Sequence, residues 1–519
     1  MGRIIDVNGN PLARKASSYT HAGAGFGGQL AHWNPSLKSA DAALLPQLDV
    51  ANARSDDVRR NNAMARGGVQ LHIDNMVGNL FRPSYKLNWR VLGMEETSAR
   101  AFIREAEQAF IEYGEDPGCY IDAERKRTFT MLCRSITGSH VNYGEGMACF
   151  EWAPDRPSLF NMCVKLVSPK RVSNPRSQHN TNTLRSGVAI DRHGAAQGYW
   201  VEESDYSEYG MQPANKWSFV QRETAWGRTQ FAHVFEPSEP GQSRGENLFL
   251  TVMSQLHSLD KLQQTKLQNA IVNAMYAATI ESELDSEQAF QLISGGKDSV
   301  KNLQNWMMQL ADYHDSANIR MNGVKIPHLM PGESLNLTHP SNSDNGFSDL
   351  ETSILRYIAA GLGLSYEQLA RDFSKVNYSS ARASINESHR YFMGKRKVIP
   401  SRFASIVFAN WLEEALHRKI LVPPKSRFNF YERRAAWTNV AWIGQGKLAI
   451  DGLKEVKEAI LRIEGRLSTY EDELALMGKD YQEVFEQQYR ELQEIQRLGL
   501  PTPSWAQMGA LTQDTSTNE

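Results

Sequence analysis

Between Gly245 and Ser282 the chain contains no proline and no further glycine. Leu248, Val252, Leu256, Leu259, Leu262, Leu267, Ile271 and Met275 recur there mostly at three- and four-residue steps, which predicts one amphipathic helix over 245–282. At 1.5 Å per residue such a helix extends roughly 50 Å, more than a small domain can cover. It is either a long core helix or a helix that packs beside copies of itself, and the pattern alone does not choose.

A second pair of apolar stripes lies further on. Leu350, Ile354, Tyr357, Ile358, Leu362 and Leu364 predict a helix over 348–364, and Tyr378, Ala381, Ile385, His389 and Phe392 predict another. Between them stands the polar segment Asp372-Phe-Ser-Lys375-Val-Asn377, and Asn377 or Ser379 is the expected N-cap of the second helix. Helices joined by a short polar loop suit a moving part.

Around these helices the chain reads as α+β. Residues 1–50 have the composition of an extended arm, with Gly23, Gly25, Gly27 and Gly28 and then Pro35 and Pro46. From Asp57 the pattern is helical through Val69, Ile73 and Val77. Strands are expected at Tyr85–Val91 and within 140–152 and 160–167, and helices at Ser98–Gly114 and Ala123–Thr137, making a domain that reaches to about residue 240. Residues 283–346 break the rhythm with Gly295-Gly296, Pro327, Pro331-Gly332 and Asn345-Gly346, around a strand-like run at 318–326. After Pro423-Pro424 come an aromatic, arginine-rich stretch (428–442), helices over 451–497 and an unstructured tail at 501–519.

Bulk properties narrow the function classes. At 519 residues the chain is long for one core. Its 57 basic and 59 acidic residues rule out a polycation built to grip phosphates everywhere. Cys119, Cys133, Cys149 and Cys163 lack zinc-finger spacing and read as small core residues with free thiols in reducing cytoplasm. Nothing at the N terminus resembles a leader, and no apolar run approaches the ~18 residues of a membrane span.

One motif points toward chemistry. Ser294-Gly-Gly-Lys-Asp-Ser299 resembles the pyrophosphate loop of ATP pyrophosphatases, whose backbone N–H groups cradle phosphates. That loop should open a βα unit, yet here a long helix precedes it and prolines follow, so a polar glycine turn is the competing reading. No other catalytic signature is present, no cofactor is expected, and His72, His233 and His389 fall in patterned segments where hydrogen-bonded structural histidines are the default.

The order of several short motifs resembles the lambda family of tailed-phage portal proteins. They are Arg54 with Arg59-Arg-Asn-Asn62, Asn75-Met-Val-Gly78, Val167-Ser-Pro-Lys-Arg-Val172, Gly187-Val-Ala-Ile-Asp191 with Gly194, Tyr199-Trp200, His233-Val-Phe235 and Pro240-Gly-Gln-Ser-Arg-Gly245. Most specific are Tyr357-Ile-Ala-Ala-Gly-Leu-Gly-Leu-Ser-Tyr366 and Asn377-Tyr-Ser-Ser-Ala-Arg382. Asp451-Gly-Leu-Lys-Glu455, Thr469 and Gly478-Lys-Asp-Tyr481 also fit, although the family usually has Pro where Gly452 stands.

The resemblance implies a portal fold assembled as a cyclic ring, a dodecamer by family expectation. Its parts would be an arm (1–50), a wing (51–240), a first stem helix (241–282), a clip (283–346), a second stem helix (347–371), a tunnel loop (372–377), a long kinked helix (378–418), a helical crown (419–500) and a flexible tail (501–519). It implies no enzyme. Double-stranded DNA would pass through the ring during packaging and ejection, and partners would be the large terminase subunit, major capsid and scaffold proteins and the head–tail connector, with no membrane. The place would be the portal vertex of the virion, and host cytoplasm during assembly. Ser374, Lys375 and Asn377 are then the candidate DNA contacts, and Arg371, Arg382 and Arg390 the candidate channel or inter-subunit cations, with a solvated helix face as the other reading. An ATP-using enzyme centred on 294–299 and a scaffold without a channel are the alternatives.

Overall fold

The computed structural model describes residues 35–203, 216–276, 344–374, 377–447 and 452–501, with 308, 319–321, 324–326 and 503. The segment expected to be an extended arm is helical at its end. Ala40–Leu44 (α1) is capped by Ser39, and Leu48–Asn61 forms α2. Burial explains the difference: Leu45, Leu48 and Ala51 are buried, and Asp41 accepts hydrogen bonds from Ser243 N (2.8 Å) and Arg185 (2.7 Å). Asn62 then caps α3 (Ala63–Met76) through Ala65 N, while its amide donates to Asp260 at 2.8 Å.

Two sequence expectations shift in the next stretch. Strand β1 is Arg82–Tyr85, and the run to Val91 does not continue it, because Asn88 caps a short helix, α4 (Trp89–Leu92), that Gly93 closes at φ +67°. After α5 (Glu96–Gly114), helix α6 begins at Phe129 rather than Ala123 and runs to Tyr143. The buried Asp122 carboxylate holds the intervening turn by accepting from Glu124 N and Lys126 N.

Strands β2 (Glu145–Trp152) and β3 (Met162–Val167) pair antiparallel. The meander β4 (Leu184–Arg185), β5 (Val188–Ile190), β6 (Ala196–Glu202) and β7 (Trp217–Gln221) follows, and β8 (Phe231–Phe235) returns to the other edge of β2. A small core of Met147, Val167, Val172, Val188, Tyr199, Val201 and Phe231 joins the two sheets.

Helix α7 is Met253–Tyr276, shorter at its start than the apolar stripe predicts. Residues before it turn instead, with Leu248 N donating to Val141 O and Leu250 N to Asn247 O. The cause is a backbone crossing: a Cβ on Gly144 (φ +81°) would stand 2.2 Å from Glu246 O, and one on Gly245 would stand 2.3 Å from Gly144 O. Only glycine admits that approach. The strand-like run at 318–326 contains a hairpin, β9 (Ile319–Met321) with β10 (Val324–Ile326).

Helix α8 (Asp344–Gly361) packs on α7 and is followed by α9 (Tyr366–Ala370), α10 (Tyr378–Val398) and α11 (Pro400–His417). Pro400 sets the kink, since it cannot donate the next helical hydrogen bond. Beyond lie α12 (Arg434–Trp437), β11 (Val440–Ile443, antiparallel to β1), α13 (Gly452–Glu464), α14 (Tyr470–Leu476) and α15 (Tyr481–Leu498). One continuous core runs from Ala65 to Trp442, centred on α11. Phe110 meets Phe129, Phe408 and Trp411 edge-on with centroids 4.9–5.2 Å apart. Each such pair adds about 0.5–1.5 kcal/mol beyond its buried area.

Candidate nucleic-acid interface

The polar loop that separates the two stripes is positioned from its upstream end by backbone chemistry. Helix α8 stops three residues short of the predicted Leu364, because Gly363 (φ +67°) donates to Ala360 O and Leu364 N donates to Ala359 O. This is a Schellman turn. A Cβ at Gly363 would lie 2.7 Å from the Tyr391 ring, so the turn seats directly on α10. The Leu362 carbonyl accepts from His72 Nε2 at 2.9 Å. Burial holds that imidazole neutral, with its pKa pushed down to about 4. A capping box between Ser365 and Gln368 starts α9, and Arg371, left-handed at φ +54°, ends it.

Within the loop, Asp372 accepts from Ser374 N (3.0 Å) and Ser374 Oγ (2.6 Å), closing a local turn. Asn377 caps α10, its side-chain oxygen accepting from Ser380 N at 2.8 Å. Ser374 and Asn377 are both exposed. Lys375 lies outside the described residues. Phe373, which the sequence pattern does not single out, is 54% exposed between these polar anchors.

The basic residues do not form one cluster. Arg371 is exposed beside the loop. Arg382 stands 3.8 Å from Glu458 of α13, a long, exposed pair that contributes little. Arg390 is exposed but thirteen positions beyond the cap, roughly 20 Å along the helix. Arg396 faces inward: it is buried and donates to the carbonyls of Met76, Asn75 and Gln445, tying α10 to α3, and burial pushes its pKa down to about 10. Lys395 bonds Glu236 at 2.5 Å. The loop therefore brings together Arg371, Ser374 and Asn377, whereas Arg382 and Arg390 sit apart.

A buried ionic clamp fixes the base of α7. Arg244 donates to both oxygens of Glu145 (2.6–3.2 Å) and to the carbonyls of Val172, Ser186 and Pro169. Glu145 also accepts from Gly245 N (2.9 Å) and bonds His233 Nε2 (2.8 Å). Burial by itself would raise the Glu145 carboxyl, but the adjacent guanidinium and the His233 hydrogen bond outweigh it and hold the carboxyl well below the usual range. Sequence reasoning placed Arg244 and His233 among short motifs and missed their joint partner. The available signal was an acid opening the apolar run Gly146-Met-Ala-Cys-Phe150.

Among the described residues no group of His, Cys, Asp and Glu is arranged to hold a metal ion, and no helix is long and apolar enough to cross a membrane. Cys133, Cys149 and Cys163 are buried free thiols and Cys119 is half-buried. The segment 294–299 lies outside the described residues.

A family model described as phage portal protein, lambda family, matches residues 26–396. The chain belongs to the lambda family of phage portal proteins. The portal protein of Escherichia phage N15 is 51% identical over 506 residues, covering 97% of this chain and 95% of that one. Portal protein B of Escherichia phage lambda is 50% identical over the same length, covering 97% and 94%. A probable portal protein of Halomonas phage phiHAP-1 is 24% identical over 62% of this chain and 58% of its own. Among solved structures, a chain from the neck of an empty GTA particle aligns at 13% identity and a TM-score of 0.41, covering 86% of this chain and 94% of that one. That likeness is too distant to speak for assembly. The α+β fold and the portal identity stand on the chain itself and on its near-full-length relatives.

Proposed function

We propose that this portal protein closes into a ring, a dodecamer, at one vertex of a phage head, and that viral double-stranded DNA is packaged and ejected through its central channel. The observation that carries the reading is the half-identical kinship with the lambda and N15 portal proteins along nearly the whole chain. The role is structural. ATP hydrolysis belongs to a docked large terminase subunit, and major capsid, scaffold and head–tail connector proteins are the other partners in the virion. Assembly takes place in the host cytoplasm. The 294–299 segment lies inside the residues matched by the family model, which favours a turn of the clip over a nucleotide loop.

In this reading α7 and α8 belong to the two stem helices (241–282 and 347–371) that bracket the clip (283–346), and 372–377 is the tunnel loop. The wing (51–240), the kinked helix (378–418) and the crown (419–500) surround them, with the arm (1–50) and tail (501–519) at the ends. Cyclic symmetry supplies the hole. Ser374, Lys375 and Asn377 touch DNA weakly, and the nearly balanced charge of the chain permits sliding, because few phosphates are held at once. Arg371 backs the loop, and Arg382 and Arg390 serve contacts between subunits.

Heads assembled without the protein should take up no nuclease-protected DNA, and adding it before assembly should restore uptake; protected DNA in its absence would refute the reading. Heads carrying Lys375→Glu are expected to package less DNA or to lose it. Full heads with normal content and retention would remove the loop contact and leave the portal assignment intact.

A further inference from the structure

Four exposed cations lie on two segments distinct from the loop. Arg90 lies on α4, and Lys425, Arg427 and Arg433 lie on the segment that follows Pro423-Pro424. Backbone hydrogen bonds bring them together: Arg427 N donates to Leu92 O at 2.8 Å, and Asn88 N donates to Ala436 O at 3.1 Å. Ser426 Oγ also donates to Leu92 O, at 3.1 Å. The Arg427 and Arg433 guanidiniums both lie over the Phe428 ring, 5.3 and 5.1 Å from its centroid, and that of Arg90 lies 5.0 Å over Trp89.

Unlike Arg100, Arg104 and Lys86, which pair with Glu96, Glu486 and Glu471, none of the four has an ion-pair partner among the described residues. The nearby carboxylates are already engaged: Glu95 accepts from Thr97 and Ser98, and Glu432 from Asn429 N. Four cations with no direct ion pair repel one another, and the two carboxylates nearby, turned to neutral donors, relieve this only in part; an arriving anion removes the remainder. Guanidiniums laid flat on rings also lose less freedom when they bind, and their planar forks match phosphate oxygens.

We infer that this patch is a second DNA-contacting surface, separate from the channel loop, which holds the phosphate backbone of duplex DNA lying against the protein. Duplex DNA fits better than an acidic protein. A protein interface centres on an apolar anchor, whereas here the central rings, Phe428 and Trp89, are only partly exposed beneath their guanidiniums. The regularly spaced phosphates of a duplex, by contrast, require no matched acidic side chains. The inference rests on the reading that the protein works beside packaged DNA.

The test uses covalently closed circular duplex DNA, which cannot enter a channel. Its affinity for the full-length rings is followed against salt concentration, with polyglutamate as a rival ligand. Each lost phosphate contact lowers the slope of log affinity against log salt by about 0.9, so Arg90→Gln/Arg427→Gln/Arg433→Gln should flatten it by about 2 to 3. The single change Arg433→Gln should flatten it by about 1 should the triple variant fail to fold, and Lys375→Glu should leave it unchanged. Rings whose slope survives these Arg→Gln changes, or rings that bind polyglutamate but not the circle, would overturn the patch and leave the portal reading standing. Failure to form rings at all would instead remove the reading on which the patch depends.

Discussion

At the scale of single residues, Glu145 and Arg244 are both removed from water, and each is the other's main compensating charge. Arg244→Met should therefore cost about 3–5 kcal/mol, because it strands a buried carboxylate. Urea unfolding should show the loss as a lowered midpoint, and an unchanged midpoint would mean the clamp is not structural. The Glu145 carboxyl is held down in the fold, so its contribution is complete above the usual carboxylate range and disappears as pH falls through its lowered pKa. Pairs of this kind are illegible in a sequence. The two residues stand 99 positions apart, and no local pattern marks them as partners. The inward turn of Arg396 is hidden for the same reason: within Lys395-Arg-Lys397 all three residues look like a solvated basic face, and only the carbonyls of Asn75 and Met76 single out one of them.

At the scale of elements, Asn377 supplies the cap that lets α10 restart immediately after the loop. Asn377→Ala should cost about 1 kcal/mol, concentrated in the first turn of α10. Hydrogen exchange of residues 380–384 reports it, and exchange as slow as in the unaltered protein would show that the loop does not depend on its cap. This helix and its cap were legible in the sequence, because spacing and an Asn are local signals, whereas the kink was expected only from the family resemblance, with no residue assigned to it. Strands β2 and β3 and the body of α5 were legible too. The misses divide by cause: Asn88 starts α4 and Asp122 holds the turn before α6 through short-range hydrogen bonds that apolar spacing does not register, whereas the Gly144–Gly245 crossing that delays α7 joins residues far apart in the chain. In the candidate site the polar turn and the cap followed from residue type. The separation of Arg390 from the loop, and the engagement of Arg382 by Glu458, depended on how the helices pack.

At the scale of the whole molecule, the buried histidines set the response to acid. His72 and His140 have pKa values pushed down to about 4 by burial, against ~6.5 in an unfolded chain. Between those values the unfolded chain binds protons that the folded one does not, so this stability is complete above pH ~6.5 and is lost as pH falls toward 4, by up to roughly 3 kcal/mol per histidine. Burial raises Glu107 to about 7, which acts in the opposite sense: the folded chain keeps a proton there that the unfolded chain has released. Two histidines against one carboxyl leave a net loss on acidification. The urea midpoint should fall from pH 7 to pH 5, and His72→Gln should flatten that fall; equal midpoints at both values would contradict the burial argument. Above the single chain lies the proposed ring, which most directly tests the functional reading. Native mass by light scattering, with electron microscopy of the same sample, should find one species of about a dozen chains with a central hole wide enough for a duplex. A monomer or dimer under every assembly condition tried would contradict it.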